Sequence, residues 1–147
     1  MRGYDYEYEW DKKYCYPDSF VLKNKLNILD AQVLNAKERE ITAARIAGIM
    51  GNPVKGSFGF KHLCDIHRTI FGDVFSSAGK PRMVDISKGN QFCLSRHIQT
   101  YADDIFTKLK DEGMLVGKAY DEIPGRLTYN FSETNVLHPF RGGNGRT

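Results

Sequence analysis

The chain has 147 residues, 41% hydrophobic and 27% charged, with a formal net charge of +3. That fits one domain with a real core, and the intermixed Lys, Arg, Asp and Glu argue against a nucleic-acid partner. No apolar run approaches the ~20 residues of a membrane span, no signal peptide opens the chain, and Cys15, Cys64 and Cys93 are spaced for neither a disulfide framework nor zinc, so a cytoplasmic protein with reduced thiols and no membrane partner is expected.

Residues 1–17 carry Tyr4, Tyr6, Tyr8, Trp10, Tyr14 and Tyr16 among charges and read as an irregular N-terminal arm, with Trp10 and Tyr16 packed on the domain. A helix is expected from Asp30, as N-cap, to Met50, stopped by Gly51-Asn52-Pro53. A glycine-containing loop follows over 51–59. Leu63, Ile66, Ile70 and Phe71 then recur at helical spacing. Met83, Val84 and Ile86, a Lys88-Gly89-Asn90 turn, and Phe92 read as a β-hairpin. Ile98, Tyr101, Ala102, Ile105, Phe106 and Leu109 form the clearest amphipathic stripe, started by Ser95 and stopped by Gly113. The last helix is expected from Asp121 to Leu137. His62, His67 and His97 lack metal-ligand spacing and read as packing or surface residues. The aromatic positions from Phe58 to Phe75 read as core.

The segment His138-Pro139-Phe140-Arg141-Gly142-Gly143-Asn144-Gly145-Arg146 carries the chemistry. Glycines at 142, 143 and 145 permit backbone angles that other residues avoid. Consecutive amides in such a turn can face one concavity and bind an anion. A helix starting near Gly145 would add its free N–H groups, and Arg146 a planar cationic fork suited to phosphate. His138, at the expected end of a helix, titrates near neutrality and can take a proton from an attacking hydroxyl. Pro139 and Phe140 act as structural anchors, one fixing φ and the other an apolar plug.

This segment resembles the signature of the Fic family, His-Pro-Phe-x-Asp/Glu-Gly-Asn-Gly-Arg-x-x-Arg. Upstream, Tyr16-Pro17, Val21 to Leu26, Ile66-His67, Phe71-Gly72-Asp73-Val74-Phe75, Ala78-Gly79-Lys80 and Arg82 are similar to the same family. So are Val84-Asp85-Ile86, Lys88-Gly89-Asn90, Phe92-Cys93, Arg126-Leu127 and Glu133. The resemblance implies a mainly α fold, a Fic-like helical bundle with a small β-hairpin flap, over residues 18–147. It also implies that the domain is incomplete at its C-terminus, because the second arginine of the signature would fall beyond Thr147.

The family reaction is transfer of AMP from ATP to a hydroxyl side chain of a target protein. By resemblance His138 is the general base, Gly143, Asn144, Gly145 and Arg146 hold the nucleotide, and the flap (Val84, Asp85, Ile86, Lys88, Gly89, Asn90 and Phe92) binds an extended target segment. The implied partners are ATP and a protein bearing a Ser, Thr or Tyr hydroxyl. Mg²⁺ is expected of the family, but Gly142 occupies the usual acidic position, so no metal ligand is assigned and impaired transfer is expected. No inhibitory Ser/Thr-x-x-x-Glu segment is found around Thr42, which points to an external, antitoxin-like inhibitor; self-association through an uncovered face of residues 121–137 is a further expectation. Two other readings stay open: a degenerate fragment acting as a binding module, and a related phosphate or phosphocholine transferase. Export as an effector is left open alongside the cytoplasmic reading.

Overall fold

A computed structural model describes residues 11–147. Four helices, a minimal hairpin and short 3-10 turns follow in chain order: α1 (Ala31–Gly51), α2 (Phe60–Phe71), β1 (Ser87–Lys88), β2 (Asn90–Gln91), α3 (Ile98–Asp111) and α4 (Ile123–Leu137). The fold is mainly α, as the sequence leads one to expect. The tyrosines at 4, 6 and 8 and Trp10 lie outside the described residues.

Local chemistry explains the helix ends. The Asp30 side chain accepts a hydrogen bond from the Val33 amide at 2.9 Å and caps α1. Beyond α1, Pro53 cannot continue the ladder. Ser95 opens a 3-10 turn, and α3 proper starts at Ile98. Gly113, Met114 and Leu115 then all take positive φ, which ends it. Pro124 sits in the first turn of α4, where its missing N–H costs nothing. His138 adopts a left-handed conformation (φ 43, ψ 60) as C-cap of α4, and Pro139 after it prevents further helix.

Two apolar clusters hold these elements. Ile98, Ala102 and Ile105 of α3 pack on Leu137 of α4, with Phe60 and Phe106 alongside. Ile70 and Phe71 of α2 pack on Ala78, Ile46 and Ile49, fastening α2 to α1. Tyr101 donates to Glu133 and ties α3 to α4. Phe58, expected in the core, is instead 65% exposed; its left-handed φ of 55 turns it outward before α2 begins. On α4, Leu127, Phe131 and Val136 remain exposed, so part of its apolar surface is uncovered.

The hairpin is shorter than the sequence pattern suggests. Only Ser87 with Gln91 and Lys88 with Asn90 pair, antiparallel, around Gly89 at φ 70. Met83, Val84 and Ile86 lie outside the two strands, although the Phe92 amide still donates to the Ile86 carbonyl at 3.2 Å. The Val84 carbonyl is taken by the Arg82 guanidinium at 2.8 Å, and the Asp85 carboxylate accepts from the Ser95 amide at 2.6 Å. These bonds bind the flap's base to its surroundings and leave only its tip as a β-ladder.

The described part of the N-terminal arm is docked. Cys15 bridges to Leu22, the Met83 amide donates to the Tyr14 hydroxyl at 3.0 Å, and Arg141 contacts Asp11 through Nε (3.1 Å) and an Nη nitrogen (3.0 Å). That pair links residues 130 apart in sequence and holds the arm against the glycine-rich segment.

Candidate active site

The site lies where α4 ends against α2 and the flap. His138 is 6% exposed. Its Nδ1 lies 3.0 Å from the Asn135 carbonyl. A carbonyl only accepts, so Nδ1 carries the proton and Nε2 holds the lone pair. The ring stacks on Phe92 of the flap, with centroids 3.7 Å apart and planes 9° apart. Burial pulls the His138 pKa below the ordinary imidazole value; the positive charges of Arg82 and Lys88 act the same way, and the Asn135 hydrogen bond opposes them. The result is a neutral imidazole with a basic Nε2 at neutral pH, the form a general base requires.

The loop after His138 is a preformed frame. Pro139 and Phe140 are fully buried. The Asn144 carboxamide closes a ring on Phe140: its Oδ1 accepts from the Phe140 amide and its Nδ2 donates to the Phe140 carbonyl, both at 2.8 Å. Gly143 is left-handed at φ 77, and a Cβ there would lie 2.3 Å from the Phe71 ring. Only glycine fits both demands. Among the described residues the amides of Gly143, Asn144 and Gly145 donate to no protein acceptor, which is the condition for an anion-binding concavity.

Arg146 faces α1. Its guanidinium donates to Thr42 Oγ1 at 3.0 Å, pairs with Glu38 and covers the Phe71 ring at 4.8 Å. Its direct action is to fasten the loop to α1.

Gly142 has open space where a side chain would be, with nothing within 4 Å of a built Cβ and no positive φ. Its carbonyl is turned to His67. Among the described residues no group of three or more His, Cys, Asp or Glu is arranged to hold a metal ion. What makes the loop a poor fit for Mg²⁺ is position 142 itself: glycine brings no carboxylate there, and its backbone carbonyl is engaged by His67.

The flap residues converge on His138 in part. Phe92 stacks on it, Ile86 is buried, and the Phe92 amide donates to the Ile86 carbonyl at 3.2 Å. Lys88, Gly89 and Asn90 form the exposed tip, while Asp85 turns to Ser95. The Ser95 hydrogen bonds hold the Asp85 carboxyl below the usual carboxylate range.

Two residues carry more of the site than their sequence context suggests. Arg82 is 2% exposed. Its guanidinium donates to the carbonyls of His138 (2.8 Å), Val84 (2.8 Å), Leu137 (3.4 Å) and Cys93, and its own amide donates to Pro139 at 2.8 Å. One cation thereby joins the carbonyl end of α4 to both sides of the flap. His67, 4% exposed, lies beneath the glycine loop. Burial lowers its pKa to about 4, with the Arg146 charge adding to the effect and the Gly142 hydrogen bond opposing it. His62, by contrast, is a packing residue, bonded to Phe58 and Val54, and His97 is exposed.

Because both buried imidazoles are more acidic folded than unfolded, the unfolded chain takes up extra protons as pH falls. Stability is therefore complete above the unfolded value of 6.5 and is lost progressively toward pH 4. For His67 the loss between pH 7 and 5 is on the order of 2 kcal/mol. Urea unfolding at the two pH values checks it; equal midpoints would contradict the buried neutral state.

A sequence profile of the Fic/DOC family matches residues 57–147. The probable protein adenylyltransferase Fic of Salmonella typhimurium is 41% identical over 133 residues, covering 90% of this chain and 66% of that protein. The corresponding Escherichia coli protein is 39% identical with the same coverage, so the chain spans about two thirds of these relatives' length. Among solved structures, the N-terminal Fic domain of a putative cell filamentation protein from Bartonella quintana, crystallised with bound ADP, superposes with a TM-score of 0.85 at 27% identity, over 91% of this chain and 70% of that one. A Fic domain from a VirB-translocated effector of Bartonella sp. AR 15-3 gives 0.85 at 25% identity, over 90% and 66%. With the His138 loop framed as described and the profile running through it, this chain belongs to the Fic/DOC family.

Proposed function

We propose that the chain binds ATP through the glycine loop and transfers AMP to a protein hydroxyl, with turnover impaired by Gly142. The observation that carries this reading is the tautomer and burial of His138, which leave a basic Nε2 beside a loop of unengaged amides. In the step, the target oxygen attacks the α-phosphorus, the bond to pyrophosphate breaks, and the hydroxyl proton goes to His138 Nε2. The Gly143, Asn144 and Gly145 amides hold phosphate oxygens and offset charge as it develops. Asn144 contributes its backbone only, since its side chain is used on Phe140. Arg146 holds the loop in place from α1. The exposed flap tip at Lys88, Gly89 and Asn90 receives an extended target segment by strand pairing. The names of the adenylyltransferase relatives support this assignment, as does the ADP bound to the B. quintana domain.

No step here passes through a metal. ATP affinity should accordingly change by less than about threefold on adding Mg²⁺, since no carboxylate at 142 bridges it. Calorimetric titration with and without magnesium measures this. His138→Ala should leave that affinity intact and abolish incorporation of α-phosphate label into protein. A gain of more than about tenfold with Mg²⁺ would show that another ligand replaces the missing carboxylate.

A further inference from the structure

We propose that His67 is the positioning residue of the phosphate loop: its imidazole sets the direction of the Gly142 carbonyl and, through one rigid peptide plane, aims the Gly143 N–H into the anion site. This rests on the nucleotide reading given above and extends it to a residue of α2.

The geometry is a three-part clamp. His67 Nε2 lies 2.9 Å from the Gly142 carbonyl, and the Gly79 amide donates to His67 Nδ1 at 2.9 Å. A carbonyl can only accept and an amide N–H can only donate, so both bonds require the Nε2–H tautomer. The ring stacks on Phe140, with centroids 3.8 Å apart, and meets Phe71 in a tilted contact at 4.6 Å. Position 79 requires glycine: it has φ 72, and a Cβ there would lie 2.7 Å from the Cys64 carbonyl. The imidazole is thus held at both nitrogens and packed against two aromatic rings.

The Gly142–Gly143 peptide is planar and trans, as no cis bond occurs among the described residues. In a trans peptide the C=O and N–H point in opposite directions. Holding the Gly142 carbonyl down onto α2 therefore points the Gly143 N–H away from α2. If this peptide flipped, the first donor of the concavity would turn inward and a carbonyl oxygen would face the anion.

Two amide side chains separate this role from simple packing. His67→Gln places a donor near the position of Nε2 and retains the Gly142 contact. His67→Asn ends near Nδ1; it retains the Gly79 contact and cannot reach Gly142. Both remove the aromatic ring, so packing alone predicts similar losses. Two readouts apply to the 147-residue chain: the ¹⁵N–¹H resonance of Gly143, and ATP affinity by calorimetry. We expect His67→Gln to keep the Gly143 resonance near its wild-type position and affinity within about threefold, and His67→Asn to shift the resonance and weaken ATP about tenfold or more. Equal damage by the two substitutions, or wild-type behaviour of His67→Asn, would overturn the assignment. If wild type fails to bind ATP, the nucleotide reading falls, and the Gly143 resonance alone decides the role of His67. Should neither variant fold, imidazole ¹⁵N spectra of the wild-type chain decide it: a proton on His67 Nε2 supports the clamp, and one on Nδ1 overturns it.

Discussion

Gly143→Ala should cost about 3 kcal/mol or more, while Gly142→Ala one residue earlier should cost almost nothing. At 143 two penalties add. A left-handed backbone disfavours any Cβ by about 1–2 kcal/mol, and that Cβ would lie 2.3 Å from the Phe71 ring, which is itself buried between α1 and α2. Overpacking of this kind costs about 1–3 kcal/mol. At 142 nothing lies within 4 Å of the added carbon and φ is not positive. A small stabilisation is even expected there, from restricting the unfolded chain. Thermal and urea unfolding of the two variants, compared side by side, measure the contrast. Similar midpoints would mean that the loop is not held against Phe71 as described.

Arg82→Met should be the other severe change. It strips the guanidinium from the carbonyls of His138, Leu137, Val84 and Cys93 at a buried position. Leaving even two of these without a donor costs about 2–6 kcal/mol, a large share of the roughly 5–15 kcal/mol by which such domains are folded. Arg82→Lys should recover only part, because a compact ammonium cannot reproduce a fork that reaches α4 and the flap together. The flap should loosen first, seen as faster amide exchange at Phe92 and Cys93, whose own amides bond to Ile86 and Val136. A loss below about 1 kcal/mol in urea unfolding would remove Arg82 from the scaffold.

These two sites also mark what could be read before the structure. Asp30 as a cap, Gly51-Asn52-Pro53 as a stop and the Ile98–Leu109 stripe are local signals, each written within a turn or two of chain, and are legible in the sequence. Alternation suggests a longer hairpin than forms, because it cannot reveal that the Val84 carbonyl accepts from the Arg82 guanidinium and the Asp85 carboxylate from the Ser95 amide. The nine residues from His138 to Arg146 announced a proton acceptor beside an anion loop. What the pattern could not state is how the loop is held: His67 reaches Gly142 across 75 residues and Arg141 reaches Asp11 across 130. A histidine in an amphipathic helix looks like packing, and packing is indeed half of what His67 does. Arg146 shows the same limit. Its charge suits phosphate, yet Glu38 and Thr42 of α1 receive it, and no local pattern connects those positions.

On the nucleotide reading, the phosphate loop is complete in its backbone and lacks one carboxylate. Gly142→Glu supplies that carboxylate at a position where a Cβ meets nothing within 4 Å. ATP titration of that variant should show an affinity gain of about tenfold or more on adding Mg²⁺, against less than about threefold for the unmodified chain, with unfolding midpoints unchanged. No gain with magnesium in a fully folded Gly142→Glu protein would mean that the missing carboxylate is not what the loop lacks.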